Sequence, residues 1–300
     1  MRVRMFVSVV SLLALTGGPE SFILPLAAAP PAPPPAYDAR ATAAWRTQRE
    51  TGLRADDGWL SVVGLAFLQP GVNEIGADRA NDVVLPPGTP AFIGRLIADG
   101  THVRFEPKAG VDVRLKDQPI IAPREIGPND RLQVGRVTFH VHQSGARVGI
   151  RVRDPQSSLL REFRGLKWFA IDPAWNVEGR FEPYASPKSV TVPNVLGDLE
   201  EFQSPGEVVL SLAGTPVRLQ AVASGRRLWF IFSDGTSNHE SYRIRFLYAD
   251  APAADGRVTL DFNRAYNPPC ALNPHTTCPL PPKTNRLSVA IRAGEKGTAH

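Results

Sequence analysis

His102-Val-Arg-Phe105, Val111-Asp-Val-Arg-Leu115 and Val137-Thr-Phe-His-Val141 are short runs rich in β-branched and aromatic residues. Together with Val83-Val-Leu85 they alternate with turns from Val72 to Arg153. A repeat of about eight to twelve residues is the spacing of a small sandwich or barrel. The pattern continues from Asp154 to Leu260, with strands expected at Val177–Phe181, Ser189–Val192, Glu207–Leu212, Val217–Val222, Arg227–Phe232 and Tyr242–Tyr248. The last of these alternates, so Arg243 and Arg245 are expected on one face and Ile244 and Phe246 on the other. Upstream, Asp38 caps a helix expected over Ala39–Leu53. The turn Asp56-Asp-Gly58 then leads into Trp59–Leu68, read as a buried strand or strand pair. The fold class expected is all-β, with two β-rich lobes (38–153 and 154–300), one N-terminal helix and a C-terminal proline-rich loop.

That loop carries Pro268, Pro269, Pro274, Pro279, Pro281 and Pro282 within the last forty residues. Proline fixes φ and removes a backbone donor, so neither a helix nor a central strand runs through it. Both cysteines of the protein, Cys270 and Cys278, lie there. At the other end, Met1-Arg-Val-Arg-Met5 precedes an apolar run, Phe6–Leu15, and an alanine-rich exit at Ala27–Ala29. A basic start, a short apolar stretch and small residues form a secretory signal over residues 1–29. Residues 30–37 follow as an extended proline-rich linker. Export to the periplasm or beyond is the expectation, and a retained N-terminal anchor is the alternative. The formal net charge of +5 comes from scattered basic residues, which is no footprint for nucleic acid.

Glu74-Ile-Gly-Ala-Asp-Arg-Ala-Asn-Asp-Val-Val-Leu85, Leu132-Gln-Val-Gly135 and Phe139 resemble parts of a forkhead-associated-like sandwich. Ala77 stands where that family has its phosphate-meeting arginine, Phe92-Ile-Gly-Arg-Leu96 replaces its Ser-Arg-x-x-His segment, and Asp117-Gln118 replaces its Asn-Gly pair. A phosphothreonine peptide is therefore not an expected partner. A second resemblance spans about residues 40 to 297. It rests on Asp57-Gly-Trp-Leu-Ser-Val-Val-Gly-Leu65, Gly149-Ile-Arg-Val-Arg-Asp154, Phe163-Arg-Gly-Leu-Lys-Trp168, Asp261-Phe-Asn-Arg-Ala-Tyr-Asn-Pro-Pro-Cys270, Thr277-Cys-Pro-Leu-Pro-Pro282, Asn285-Arg-Leu287 and Ala293-Gly-Glu-Lys296. In this order they resemble the bacterial family of unknown function numbered 1684. The resemblance implies a common β-rich core and assigns no chemistry.

Several polar residues are candidates for a site. Arg153, Arg245, Asp261, Asn263, Asn267, Asn285 and Arg286 are candidate contacts for a small polar or anionic ligand or an envelope component. The same Asp261, Asn263, Asn267, Asn285, Arg286 and Glu295 can equally pin the proline loop by bonding its backbone. His239, beside Glu240 and near Asp234, is a candidate general base for a hydrolase, and Asp261 with Glu295 is a candidate acid pair. The same His239 segment also reads as a plain hairpin tip. Cys270 and Cys278 close a loop of nine residues, and in an exported protein a disulfide is expected between them. With His275 they form an incomplete metal set, as do His140 and His142 on one strand face. No cofactor is expected, because no phosphate loop, dinucleotide fingerprint, His-Glu-x-x-His or serine elbow is present. The function remains open between a binding module and a hydrolase.

Overall fold

The capping signal at Asp38 acts as its residue type predicts. Helix α1 (Ala39–Arg54) starts there, and the Asp38 carboxylate accepts from the Arg40 and Ala41 amides at 2.9 and 3.1 Å. The computed structural model describes residues 36–297, so the expected leader and nearly all of the linker lie outside the described residues. Thr42 and Leu53 are the buried residues of α1, too few for an apolar stripe. Polar side chains dock it instead. Arg46 donates to the carbonyls of Phe169 and Asn263 at 3.0 and 3.1 Å, and Glu50 accepts from the Leu166 amide at 3.1 Å.

The chain is mostly strand. In the first half come β1 (Val62–Phe67), β2 (Gly71–Gly76), β3 (Val83–Val84), β4 (Gly94–Asp99), β5 (His102–Pro107), β6 (Arg114–Leu115), β7 (Gln118–Pro119), β8 (Arg124–Ile126), β9 (Leu132–Val134), β10 (Val137–Ser144) and β11 (Arg147–Arg153). They form a six-stranded sheet ordered β1-β11-β10-β9-β6-β7 and a five-stranded sheet ordered β3-β2-β4-β5-β8. The two sheets share one apolar cluster, in which Phe105 of β5 meets Phe139 of β10 edge to face at 6.1 Å. After a short helix, α2 (Ser158–Glu162), follow β12 (Asn176–Pro193), β13 (Leu199–Leu212), β14 (Thr215–Gln220), β15 (Val222–Ser224), β16 (Arg227–Phe232), β17 (Arg245–Asp250) and β18 (Arg257–Asp261). These make a four-stranded sheet, β14-β13-β12-β18, and a three-stranded sheet, β15-β16-β17. Their principal core, around Phe230, Phe232, Leu260 and Phe262, is separate from the first.

Some segments differ from their sequence pattern. Trp59–Ser61 is a 3-10 turn, so the strand begins only at Val62. Helix α2, capped by the Ser157 hydroxyl, is too short to show a period. Val217–Val222 is divided between β14 and β15. The Tyr242–Tyr248 strand begins at Arg245, and Arg245 is fully buried where a polar face was expected. Its charge is balanced inside, as described below. The proline loop joins the second lobe through isolated bridges, Asn194 to Pro279 and Phe246 to Tyr266 among them.

One face of the first lobe positions the site. Along β11, Val148, Ile150 and Val152 point into the sandwich core. The period of two therefore places Arg151 and Arg153 on the opposite face. His140 of β10 lies directly across from Arg151 in the ladder. That face is not left to solvent: Arg151 and Arg153 are each only 6% exposed.

Candidate functional site

The predicted contacts of the proline loop are mainly consumed in holding it. Asp261 accepts from the hydroxyls of Tyr37 and Thr42, both at 3.1 Å, and pairs with Arg264 at 3.2 Å. Asn263 exchanges two hydrogen bonds with the backbone of Asp172, and Asn285 bonds the backbone of Gln220 and Ile231. Glu295, 1% exposed, receives Arg49 Nε at 2.8 Å and both the amide and side chain of Asn267. Arg245 pairs with Asp234 at 2.8 Å and donates to the carbonyls of Ile291 and Ala293. Gly294 makes room for this, since a Cβ there would lie 2.8 Å from Arg245 Nη2 and its φ is +79°. Arg153 donates to the Gly58 carbonyl and the Ser61 hydroxyl. Arg286 is exposed, in a shallow surface depression beside Glu207 and Arg218. Among the described residues these seven predicted ligand contacts are spread over separate networks, and none of them lines the cavity described below.

The proposed acids and bases fare similarly. His239 is exposed in the Asp234–Ser241 loop, and Glu240 pairs with Arg292 at 2.9 Å. Asp261 and Glu295 belong to the two separate networks just described. Among the described residues, no three His, Cys, Asp or Glu groups come together as a metal site. Cys270 and Cys278 stand as neighbouring free thiols, with the Cys270 amide 3.2 Å from Cys278 Sγ. Their mutual hydrogen bond holds the Cys270 thiol pKa below the ordinary range and, with burial, pushes that of Cys278 up.

A cavity of about 420 Å³ lies between the outer face of the first lobe and the second lobe. Arg151 and His142 come from β11 and β10, and Arg49 and Leu53 from α1. Trp229, Phe246 and Tyr248 come from β16 and β17, while Tyr266, Thr277 and Cys278 come from the proline loop. Trp59 and Glu200 also line it. The aromatic part is continuous. Trp229 and Tyr248, paired across β16 and β17, lie nearly parallel at 6.0 Å, and Tyr248 and Tyr266 at 6.4 Å. The loop is fixed against the first lobe by Asn273, which donates to the Trp59 and Val62 carbonyls at 2.9 and 2.8 Å.

Among the described residues Arg151 is the cation of this wall without a carboxylate partner, a state it shares with the equally buried Arg153, which does not line the cavity. Arg151 Nη2 donates to His142 Nε2 at 3.0 Å, and its Nε is buried without an acceptor. Among the described residues no carboxylate oxygen lies within 4.0 Å of it. Burial, then the neighbouring Arg153, brings its pKa down to about 10, although Glu200 acts in the opposite direction. A buried cation without a counterion is costly, and native proteins rarely keep one without a use. Arg49, by contrast, is already neutralised by Glu295 and lies over the Tyr266 ring at 4.3 Å.

The hydrogen bonds also define the state of His142. A guanidinium can only donate, so Nε2 must accept and the ring proton sits on Nδ1. The Thr277 hydroxyl, 2.9 Å from the same Nε2, therefore donates to it as well. Burial and the Arg151 charge bring the His142 pKa down to about 4. A ring so weakly basic, with its lone pair already engaged, makes a poor proton acceptor for Thr277. The arrangement orients Arg151 more readily than it activates a nucleophile.

Arg151, Glu200 and the aromatic wall were not recognised in the sequence as a site. A signal for Arg151 was present, because Ile150 and Val152 are core residues and the alternation leaves Arg151 and Arg153 on the other face, with His140 directly across the ladder from Arg151. Trp229, Tyr248 and Tyr266 had none, since their meeting depends on the pairing of β16 with β17 and on the bridge that brings the proline loop to Phe246.

Residues 161–296 match the family model described as a protein of unknown function, DUF1684. A solved structure, the solution structure of an uncharacterized protein of Haloarcula marismortui, shares 32% sequence identity with this chain. The match covers 45% of this chain and 78% of that one, with a TM-score of 0.39. No curated protein matches.

Proposed function

We propose that this chain, a member of the DUF1684 family through residues 161–296, is a binding module for a small anionic molecule held in the Arg151 cavity. The observation that carries the reading is a guanidinium 6% exposed, unpaired with any described carboxylate, opening on a cavity of about 420 Å³. Ligand pockets combine apolar walls with a few polar groups that fix orientation. Here the aromatic wall supplies the first and Arg151, braced by His142 and Thr277, the second. An anion entering would restore the pairing that the fold withholds. Export, with Cys270 and Cys278 joined as a disulfide, belongs to the same proposal. The adjacency of the two sulfurs supports the bond, and the basic and apolar start of the sequence supports the export.

The test is calorimetric titration with benzoate and butyrate, each against its neutral amide, on wild type and Arg151→Met. The acids should bind at least about tenfold more tightly than the amides to wild type, the scale of one charge-assisted hydrogen bond. That preference should vanish in the variant. Amides binding as well as acids, or an acid preference that survives in Arg151→Met, would refute the reading.

A further inference from the structure

Arg151 is not the only unpaired charge facing this cavity. Glu200, at the start of β13, lines it too, and Asn194 Nδ2 donates to its Oε1 at 2.9 Å. Among the described residues no Lys, Arg or His nitrogen lies within 4.0 Å of this carboxylate. Beside Arg49, already paired with Glu295, the cavity thus contains one cation and one anion that attract each other without forming an ion pair. Each is held by its own neutral partner, Arg151 by His142 and Glu200 by Asn194. Asn194 is itself tied to the Ser144 hydroxyl at 2.7 Å, which braces the support of Glu200. In a partly dry cavity two opposite charges attract strongly, and keeping them apart requires rigid supports of this kind.

We infer that the ligand is a zwitterion, an amino acid or a similar ammonium carboxylate, with its anionic group on Arg151 and its cationic group on Glu200. This rests on the Arg151 reading and extends it. A simple anion would satisfy Arg151 and leave Glu200 repelling it, whereas a molecule carrying both charges matches both supports. The face of Trp229 suits the cationic end, because ring faces attract ammonium groups, whereas Arg227 already lies over the Tyr248 ring at 4.7 Å. Tyr266 contributes less, since Arg49 already covers it. Arg151 and Glu200 form no ion pair within 4.0 Å, so amino acids of several lengths, from glycine with its nearly adjacent charges to spaced ones, are the probes.

The experiment is titration of the intact protein with glycine, 4-aminobutyrate, 6-aminohexanoate and the amine-free acids butyrate and hexanoate. At least one spaced amino acid should bind about tenfold more tightly than its amine-free counterpart, the worth of a charge-assisted contact. Glu200→Gln should remove that advantage, and butyrate, no longer repelled, should bind that variant at least as tightly as wild type. If butyrate and hexanoate bind as tightly as their amino counterparts and still depend on Arg151, the zwitterion inference fails and the anion site stands. If no probe depends on Arg151, both fail. Because the amine comparison is made on wild type, misfolding of a variant cannot hide the result.

Discussion

Replacing Arg151 by Met should raise the stability of the protein, whereas the same change at Arg245 should lower it steeply. Both side chains are buried arginines on strands, yet their surroundings differ in kind. A guanidinium pKa of about 10 against its usual 12.5 corresponds to roughly 3 kcal/mol against the charged form at neutral pH. Methionine removes that penalty and fills a similar volume. It gives up the hydrogen bond to His142 and the contact with the Trp59 ring at 5.2 Å, together about 1–2 kcal/mol. The balance is a gain of about 1–2 kcal/mol, or a Tm higher by roughly 2–8 °C for a chain of this size. At Arg245 the account reverses. Asp234, paired at 2.8 Å and fully buried, would lose its counterion along with the carbonyl contacts of Ile291 and Ala293. Breaking such a pair costs about 3–5 kcal/mol, and a Tm lower by roughly 6–20 °C follows. Thermal unfolding of the two variants beside wild type decides it. A lower Tm for Arg151→Met would mean that Arg151 is a structural residue, and the case for an anion site would lose its basis.

Three further outcomes follow from other parts of the molecule. His140 and His142 both have pKa values near 4, below the ordinary 6.5, so their neutral forms contribute stability above about pH 6.5 that is lost as pH falls through 4. After allowance for solvent screening each is worth at most roughly 1–2 kcal/mol; denaturant titrations at pH 7 and pH 4 should show His142→Gln losing less than wild type, and an equal loss would refute the assignment. Oxidation of Cys270 and Cys278 should remove two hydrogens from the intact mass and stabilise by about 2–3 kcal/mol for so short a loop, a gain abolished by reductant; an unchanged Tm on reduction would exclude it. Gly294→Ala should destabilise by several kcal/mol, because the φ of +79° and the closeness of Arg245 Nη2 leave no place for a methyl group; denaturant unfolding indistinguishable from wild type would contradict the geometry.

The all-β class was legible because strand runs and turn residues recur regularly, and α1 because Asp38 announces it. Local signals left two roles open for the polar residues of the proline loop, ligand contact or pinning, and Asn263, Asn267 and Asn285 do what short amide side chains do beside backbone that no sheet can satisfy. What failed was the step from residue type to role. Arg245 reads as a surface arginine because it alternates with Ile244, yet its strand begins later than that alternation suggests. Asp234, eleven residues away, then neutralises it inside the fold. Nothing in the local sequence distinguishes that arginine from Arg151, since what separates them is the presence or absence of a carboxylate supplied by a distant segment.

The same reasoning explains why the cavity, and not the most distinctive motif, is the place to look for function. The proline loop is dense in polar residues, and almost every one of them is already satisfied: Asp261 by Tyr37 and Thr42, Glu295 by Arg49 and Asn267. A satisfied group has little left to offer a ligand. Its distinctiveness instead reflects how many contacts must agree for a strandless segment to hold one shape. By holding it, the loop delivers Tyr266, Thr277 and Cys278 to the cavity wall opposite β10 and β11. Arg151 and Glu200 are the groups in that wall whose charges the fold supports and does not neutralise, and such charges are where binding free energy for a partner remains.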